Sequence, residues 1–303
     1  MKLIDADTAA RLLDLPSLIA ALRDGHLQGV EAYGRLLMTD GADAMLGMAA
    51  WQRGQAFGIK LATVFPANAA RGQPTIASVY VLFDGTDGTP RAVIDATPLT
   101  VRKTAADSAL AADYLARPDA RTLLMVGAGA QAEWMIAAHR VVRPSIARVL
   151  IWNRTPDRAQ HLAARLGAEA VTDLATAAAA ADVICCATAA TAPVLRGTWL
   201  RPGVHVDLVG AYTPDMRETD DDAVRRASVF VDTRRFTLHD AGDISQPLAA
   251  GVIAESDIRA DLFQLVRGEV KERQDAAEIT LFKNAGGGHL DLMAARLIES
   301  RLR

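Results

Sequence analysis

Apolar positions along this chain follow two different periods, and the changes between them mark out its parts. Near the start, Ala9, Leu12 and Leu13, then Leu18, Ile19 and Leu22 after Pro16, recur at helical spacing, with the proline suited to a helix's first turn. From Ala44 to Val64 the pattern changes to strand-like runs, AMLGMAAWQ and AFGIKLATVFP, separated by the hairpin signal Arg53-Gly54-Gln55. SVYVLFD and PRAVID add two more strands around Gly85-Thr86-Asp87-Gly88, so this half reads as an antiparallel sheet. Leu99 to Ala116 then reads as a helix rich in small residues, with Arg102, Lys103 and Thr104 in its first turn. Cations there oppose the helix dipole and call for a nearby anion or for solvent. From Thr122 to Thr233 strand and helix patterns alternate in the rhythm of a parallel α/β sheet. A charged helix is expected around Phe263 to Arg273, and in the tail Gly286-Gly287-Gly288 reads as a permissive turn before a last helix that returns toward the N-terminal region.

Within the alternating region, Leu123 to Val126 run into Gly127-Ala128-Gly129-Ala130-Gln131-Ala132, followed by a helix carrying Trp134, Met135, Ala138 and Val141. This matches the dinucleotide fingerprint G-x-G-x-x-G/A. Gly127 permits the turn, Gly129 lets backbone approach a pyrophosphate, and Ala132 lets the helix pack on the strand. An ordinary strand-to-helix turn would leave the same signature. The next apolar run, Arg148 to Trp152, ends in Asn153-Arg154-Thr155 where a second strand of such a fold ends, and where an NAD site usually carries an acid for the ribose hydroxyl. A neutral Asn and a guanidinium favour a 2′-phosphate, hence NADPH over NADH, with Arg158 able to share the task. The competing reading of Arg154 is a solvated loop residue. Thr188 lies at the carboxyl end of the strand DVICCAT, the edge where open α/β sheets bind ligands.

Composition narrows the rest. Half of the 303 residues are apolar, enough for a substantial core, and the net charge of −3 is spread without a basic stripe or acidic tail, which disfavours nucleic acid and anionic membrane as partners. The N-terminus lacks a signal peptide's apolar core, and no apolar run approaches the roughly 18 residues of a membrane span, so a cytoplasmic location is expected. Cys185 and Cys186 are adjacent in an apolar run and suit buried packing better than a disulfide or metal site. His205 and His289 read as packing or surface residues rather than ligands. Lys60, between Ile59 and Leu61, is by itself more readily the solvent face of an alternating strand than a site residue.

Taken together and in order, IKLATVFP, LTVRKTAADSALAADYLARPDA, LLMVGAGAQA, NRTPDRA, LRPGVHVDLVGA, DAGDI and ITLFKNAGGGHLDL resemble the ornithine cyclodeaminase and mu-crystallin family over nearly the whole chain. The resemblance implies an α/β protein in which a Rossmann dinucleotide-binding domain, residues 118–278, is inserted into an α+β substrate and dimerisation domain made of residues 1–117 and 279–303. It also implies a homodimer formed through the N-terminal sheets. Arg35 and Lys60 match family positions that bind the substrate carboxylate, and Lys103 stands where many members have an arginine with that task. For Lys60 this reverses the balance toward a cation facing the site. Thr104 and Gln131 match positions near the cofactor phosphates, and Asn284 falls where the family usually has a serine near the nicotinamide.

One departure from the family pattern bears on the reaction. Cyclodeaminases carry an aspartate in GxDxPGK, whereas this chain reads GAYTPDMRE, with Tyr212 at the aspartate position and Met216 at the lysine position. Without that carboxylate the expected activity is NAD(P)H-dependent reduction of a cyclic ketimine carboxylate, as in the bacterial Δ1-pyrroline-2-carboxylate reductases of the family, whose product is L-proline. Δ1-Piperideine-2-carboxylate, giving L-pipecolate, is a further expected substrate. Lys60 would bind the carboxylate and lend the proton, with Asp215 or Asp243 as other donors. Reductive amination in the manner of an alanine dehydrogenase, reduction of an acyclic imino acid, and non-catalytic NADPH binding in the manner of mu-crystallin are the alternatives.

Overall fold

The computed structural model describes residues 1–302. In chain order the elements are β1 (Lys2–Ile4), α1 (Ala6–Leu12), α2 (Leu15–Gln28), β2 (Glu31–Asp40), β3 (Asp43–Gln52), β4 (Ala56–Val64), β5 (Ile76–Asp84), β6 (Pro90–Asp95) and α3 (Thr97–Leu115). They continue with β7 (Thr122–Val126), α4 (Ala132–Val142), β8 (Arg148–Trp152), α5 (Pro156–Leu166), β9 (Glu169–Ala170), α6 (Leu174–Ala180), β10 (Val183–Cys186) and β11 (His205–Leu208). The last are α7 (Asp221–Arg226), β12 (Ser228–Val231), α8 (Arg234–Asp240), α9 (Gly242–Ala249), β13 (Ile258–Asp261), α10 (Leu262–Val266), β14 (Thr280–Lys283) and α11 (Gly288–Ser300). The chain forms two compact units, residues 1–104 with the tail from Gly286, and Ala105–Ala285.

In the first unit, among the described residues, one six-stranded sheet runs in the order β1-β6-β5-β4-β3-β2. The pairs from β2 to β6 are antiparallel, as the alternating runs require, but β1 joins β6 in parallel, so the sheet is not wholly antiparallel. Three residues are too short a run for a period to show. The α2 helix starts where Asp14 accepts a hydrogen bond from Ser17 N at 2.9 Å, just before Pro16. The α11 helix packs on β2, β3, β4 and β5 and on α2, burying nearly every residue from Gly288 to Ala295. Arg102 on α3 donates to the carbonyls of Ala10 and Leu13, which closes the free C-terminal end of α1.

The second unit holds an eight-stranded, wholly parallel sheet among the described residues, ordered β13-β12-β14-β11-β10-β7-β8-β9. Leu123, Leu124, Met125, Ile184, Val206 and Phe282 are fully buried within it, as expected of strands covered on both faces. Cys185 and Cys186 are free thiols inside this core.

The compact units divide after Thr104, inside α3, and after Ala285, beside the expected domain limits at 117/118 and 278/279. Thr280–Lys283 is an interior strand between β11 and β12. Two expectations are corrected. The expected helix from Phe263 to Arg273 ends at Val266, because Gly268 takes a left-handed conformation (φ 68°) that terminates it, and the run before it forms β13. Finally α3 begins at Thr97, two residues before the expected start, which places Lys103 in its second turn.

Candidate active site

Cross-strand pairing sets Arg35 opposite Met48, Met48 opposite Lys60, and Lys60 opposite Tyr80. Paired residues share a face of the sheet, so these four form one row, on the face covered by α11. Lys60 is only 4% exposed and is no solvent-face residue. Its Nζ lies 3.1 Å from Oδ1 and 3.0 Å from Oδ2 of Asp291, a fully buried carboxylate on α11. Lys103 Nζ lies 3.9 Å from the same Oδ1. Burial drives the Lys60 ammonium down to about 8; Asp291 opposes the fall, while Lys103 and Arg35 add to it. A lysine so placed keeps its proton at neutral pH and can release it to a base. Lys103 answers a carboxylate here, which removes the conflict with the helix dipole. Thr104 donates its hydroxyl to Thr100 O within α3.

The remaining candidates lie in the second unit. Gly127 ends β7 with φ 109°, and a Cβ there would meet Ala187 O at 2.6 Å, so no other residue fits without strain. Gly129 and Ala130 are exposed, Gln131 leads into α4, and Ala132 is buried under it. A methyl group added to Gly129 would meet nothing within 4 Å, so the space before this loop is open, as a loop that receives a dinucleotide phosphate at a helix N-terminus requires. Asn153 ties the end of β8 to this loop, accepting from Ala128 N at 3.2 Å and donating to Thr155 O at 2.9 Å. Arg154, Thr155 and Arg158 are exposed at that end.

Thr188 is held by a buried charge network. Glu218 accepts from Thr188 N and Oγ1 at 2.7 and 2.8 Å and from Gly210 N at 2.7 Å. Burial pushes its carboxyl up to about 7, Lys283 opposes that, and Asp243 adds to it. Lys283 Nζ pairs with Asp243 at 3.2 Å, and Asp243 also accepts from Glu218 N and Thr219 N. The network thereby fixes the loops after β10 and β11 at the carboxyl edge of the sheet. Asn284, almost fully buried, donates to Ser108 at 3.1 Å, and Ser108 donates to Asp207 at 2.8 Å.

Asp291, Glu218 and Lys283 were not among the residues expected at a site. Their signal is a charged residue inside an apolar run, HLDLMAA for Asp291 and ITLFK for Lys283, which must find a partner once buried. Of the other proposed proton donors, Asp215 is exposed, and the Thr213 hydroxyl holds its carboxyl below the usual range. Asp243 is committed to Lys283 and two backbone N–H groups. Tyr212, at the cyclodeaminase aspartate position, is 57% exposed. His205 and His289 are fully buried and pushed well below the ordinary histidine range by burial, so both are neutral packing residues. Among the described residues no group of acids, cysteines and histidines could hold a metal, and no helix is long and apolar enough to cross a membrane.

The fold and these clusters define a class: an α/β protein with a Rossmann-like parallel-sheet unit and a second sheet unit in which two buried lysines share one aspartate. The model of the ornithine cyclodeaminase/mu-crystallin family matches residues 19–303, and the chain belongs to that family. It is 45% identical to a Δ1-pyrroline-2-carboxylate reductase of Paracoccus denitrificans over 92% of this chain and 90% of that one. Among solved structures, the Δ1-pyrroline-2-carboxylate reductase of Thermococcus litoralis, in complex with NADH and L-proline, superposes with TM-score 0.92 at 30% identity, covering 99% of this chain and 97% of that one. The iminosuccinate reductase of Paracoccus denitrificans, in complex with NAD+, gives 0.91 at 26% identity over 99% and 95%.

The open space at Gly129 generates a test. Gly129→Ala should leave unfolding stability within about 0.5 kcal/mol, since the methyl meets no protein atom, yet weaken dinucleotide binding about tenfold or more. Fluorescence titration with the reduced cofactor and denaturant unfolding read the two quantities, and unchanged affinity would show that the loop does not face the phosphates.

Proposed function

We propose that this protein reduces Δ1-pyrroline-2-carboxylate to L-proline, and accepts the six-membered Δ1-piperideine-2-carboxylate as well. The observation that carries this reading is the buried Lys60, charged at neutral pH beside a second lysine. Bound NADPH or NADH supplies the hydride that ends on the imine carbon. The protein's own part is to hold the substrate and provide a proton. Lys60, Lys103 and Arg35 take the carboxylate, which orients the planar ring. Lys60 Nζ then gives its proton to the ring nitrogen as the amine forms, so the C=N bond gains one hydride and one proton. Tyr212 leaves no carboxylate at the position that serves cyclodeaminases, and the reductases among this chain's relatives support the same reaction. One methylene in an apolar pocket discriminates by only about 1 to 3 kcal/mol, hence the tolerance for ring size.

For the cofactor, the reading is NADPH in preference to NADH. Arg154 stands exposed where an NAD site carries an acid, and among the described residues no ion pair occupies it. The assembly proposed is a homodimer through the first unit's sheet. Its face opposite Lys60 carries Leu36, Met38 and Val79, exposed, and a stack of Trp51, Phe57 and Phe83 with ring centroids 4.4 and 4.9 Å apart. Such a continuous apolar patch calls for a partner surface.

Five measurements check these statements. Purified protein should oxidise NADPH with the cyclic imine in the absence of ammonia and release no ammonia from ornithine. Lys60→Met should lower kcat/KM by on the order of a hundredfold, about 3 kcal/mol, with cofactor binding retained. In the parent, kcat/KM should fall as pH rises through about 8, because the proton donor is then lost. Imine reduction that survives the Lys60 change, or that requires ammonia, would overturn the reading. Arg154→Ala should raise KM for NADPH roughly tenfold to a few hundredfold, about 1.5 to 3 kcal/mol, and hardly alter NADH; equal losses would refute the phosphate contact. Sedimentation equilibrium should return twice the chain mass, and a monomer at micromolar concentration would sink the dimer.

A further inference from the structure

We propose that Asp291 is the positioning residue of this site, a built-in anion that holds the Lys60 side chain in place and keeps it charged so that it can serve as proton donor. The inference rests on the reading of Lys60 given above and adds a residue to it. The Lys60 ammonium sits in a row of side chains under a helix, cut off from water. Isolation from water favours the neutral amine, and so do the two neighbouring cations, Lys103 on α3 and Arg35 on β2. Two further titratable groups flank the cluster. Tyr80 on β5 is fully buried, its phenol kept neutral by burial and by Asp291 itself. His289, in the first turn of α11, is kept neutral by burial, with His26 and Lys103 adding to the fall, and its edge-to-face neighbour on α2 is His26. Asp291 opposes the loss of the proton, with both oxygens at 3.0 to 3.1 Å from Nζ.

The fold delivers this carboxylate by specific means. Asp291 lies in the first turn of α11, where the helix dipole favours an anion. That turn lies against β3 because residue 288 is glycine: a Cβ there would meet Ala49 O at 2.7 Å. With Lys103 3.9 Å from Oδ1, the carboxylate is shared by both lysines. A substrate carboxylate therefore enters a cluster already oriented by an internal one, and the lysines need not reorganise to receive it.

The experiment compares Asp291→Asn, Asp291→Glu and the parent in two ways. In the pH profile of kcat/KM, the alkaline limb of the Asn variant should move down by at least one pH unit from its parent position near 8, so that activity at pH 7.5 falls several-fold or more and recovers at pH 6. The Glu variant, which keeps the charge, should restore most of the limb. Cofactor affinity should stay unchanged in both. In the second reading, NMR of the Lys60 side chain, assigned through Lys60→Met, is followed against pH in protein without substrate. Its midpoint should fall by a unit or more in the Asn variant. If the midpoint moves but no cyclic imine is reduced, the reaction is wrong and the role of Asp291 toward Lys60 stands. An unmoved midpoint, or activity lost equally at every pH with the limb in place, would reduce Asp291 to a structural ion pair and overturn the proposal. Should the Asn variant not fold, Asp291→Ser is read by the same two criteria.

Discussion

A charge taken out of water must be matched inside the protein, and this constraint shapes both units. An unpaired ammonium in the interior costs so much that the group loses its proton instead, and breaking an established buried pair typically costs about 3 to 5 kcal/mol. Lys60 and Lys283 are both inside, and each is met by an aspartate from a different element, Asp291 on α11 and Asp243 on α9. Neither arrangement is a simple pair. Lys103 adds a second cation to the first cluster, and Glu218 adds a second carboxyl group to the other. In the second cluster the N–H groups of Thr188, Gly210 and Thr219, with the Thr188 hydroxyl, all point at carboxylates and so become fixed. That cluster therefore holds loops still.

The local features of the fold were legible because their signals are local. The strand, glycine turn and helix from Thr122 to Val142 depend on neighbours a few residues apart, and the hairpins are punctuated by glycine. What escaped notice depended on distance or on brevity. Ile258–Asp261 and Thr280–Lys283 are four residues long, too short to display a period, and Thr280–Lys283, buried on both faces, does not alternate at all. Gly268 is a local helix stop, and the charged pattern that continues to Arg273 beyond it belongs to no helix.

The candidate site divides in the same way. Alternation along AFGIKLATV places Lys60 on the face opposite Ile59 and Leu61, but it is silent on which face a helix will cover. That is settled by a carboxylate 231 positions later. Family likeness could single out Lys60 and Lys103 as cations for a substrate; it took the packing of α11 to show that they already share an anion. Arg102, adjacent to Lys103 and just as basic, has an unrelated task at the end of α1. Charge in sequence thus identified candidates, and partners in space sorted them.

The segment from Lys283 to Asp291 compresses this logic into nine positions, with one buried charge at each end serving a different unit. Its three central glycines read as a flexible turn, yet only Gly286 adopts a conformation that other residues avoid, with φ 71°. The other two are needed for lack of a side chain. A Cβ on Gly287 would strike the His289 ring at 2.6 Å, and one on Gly288 would strike the backbone of β3. Even at Gly286 a Cβ would come within 3.0 Å of Lys103 Nζ. Each glycine therefore admits a different neighbour: the lysine, the histidine and the sheet. The strictest of the three is Gly288, whose neighbour is backbone, and its bareness lets the helix that carries Asp291 lie against β3.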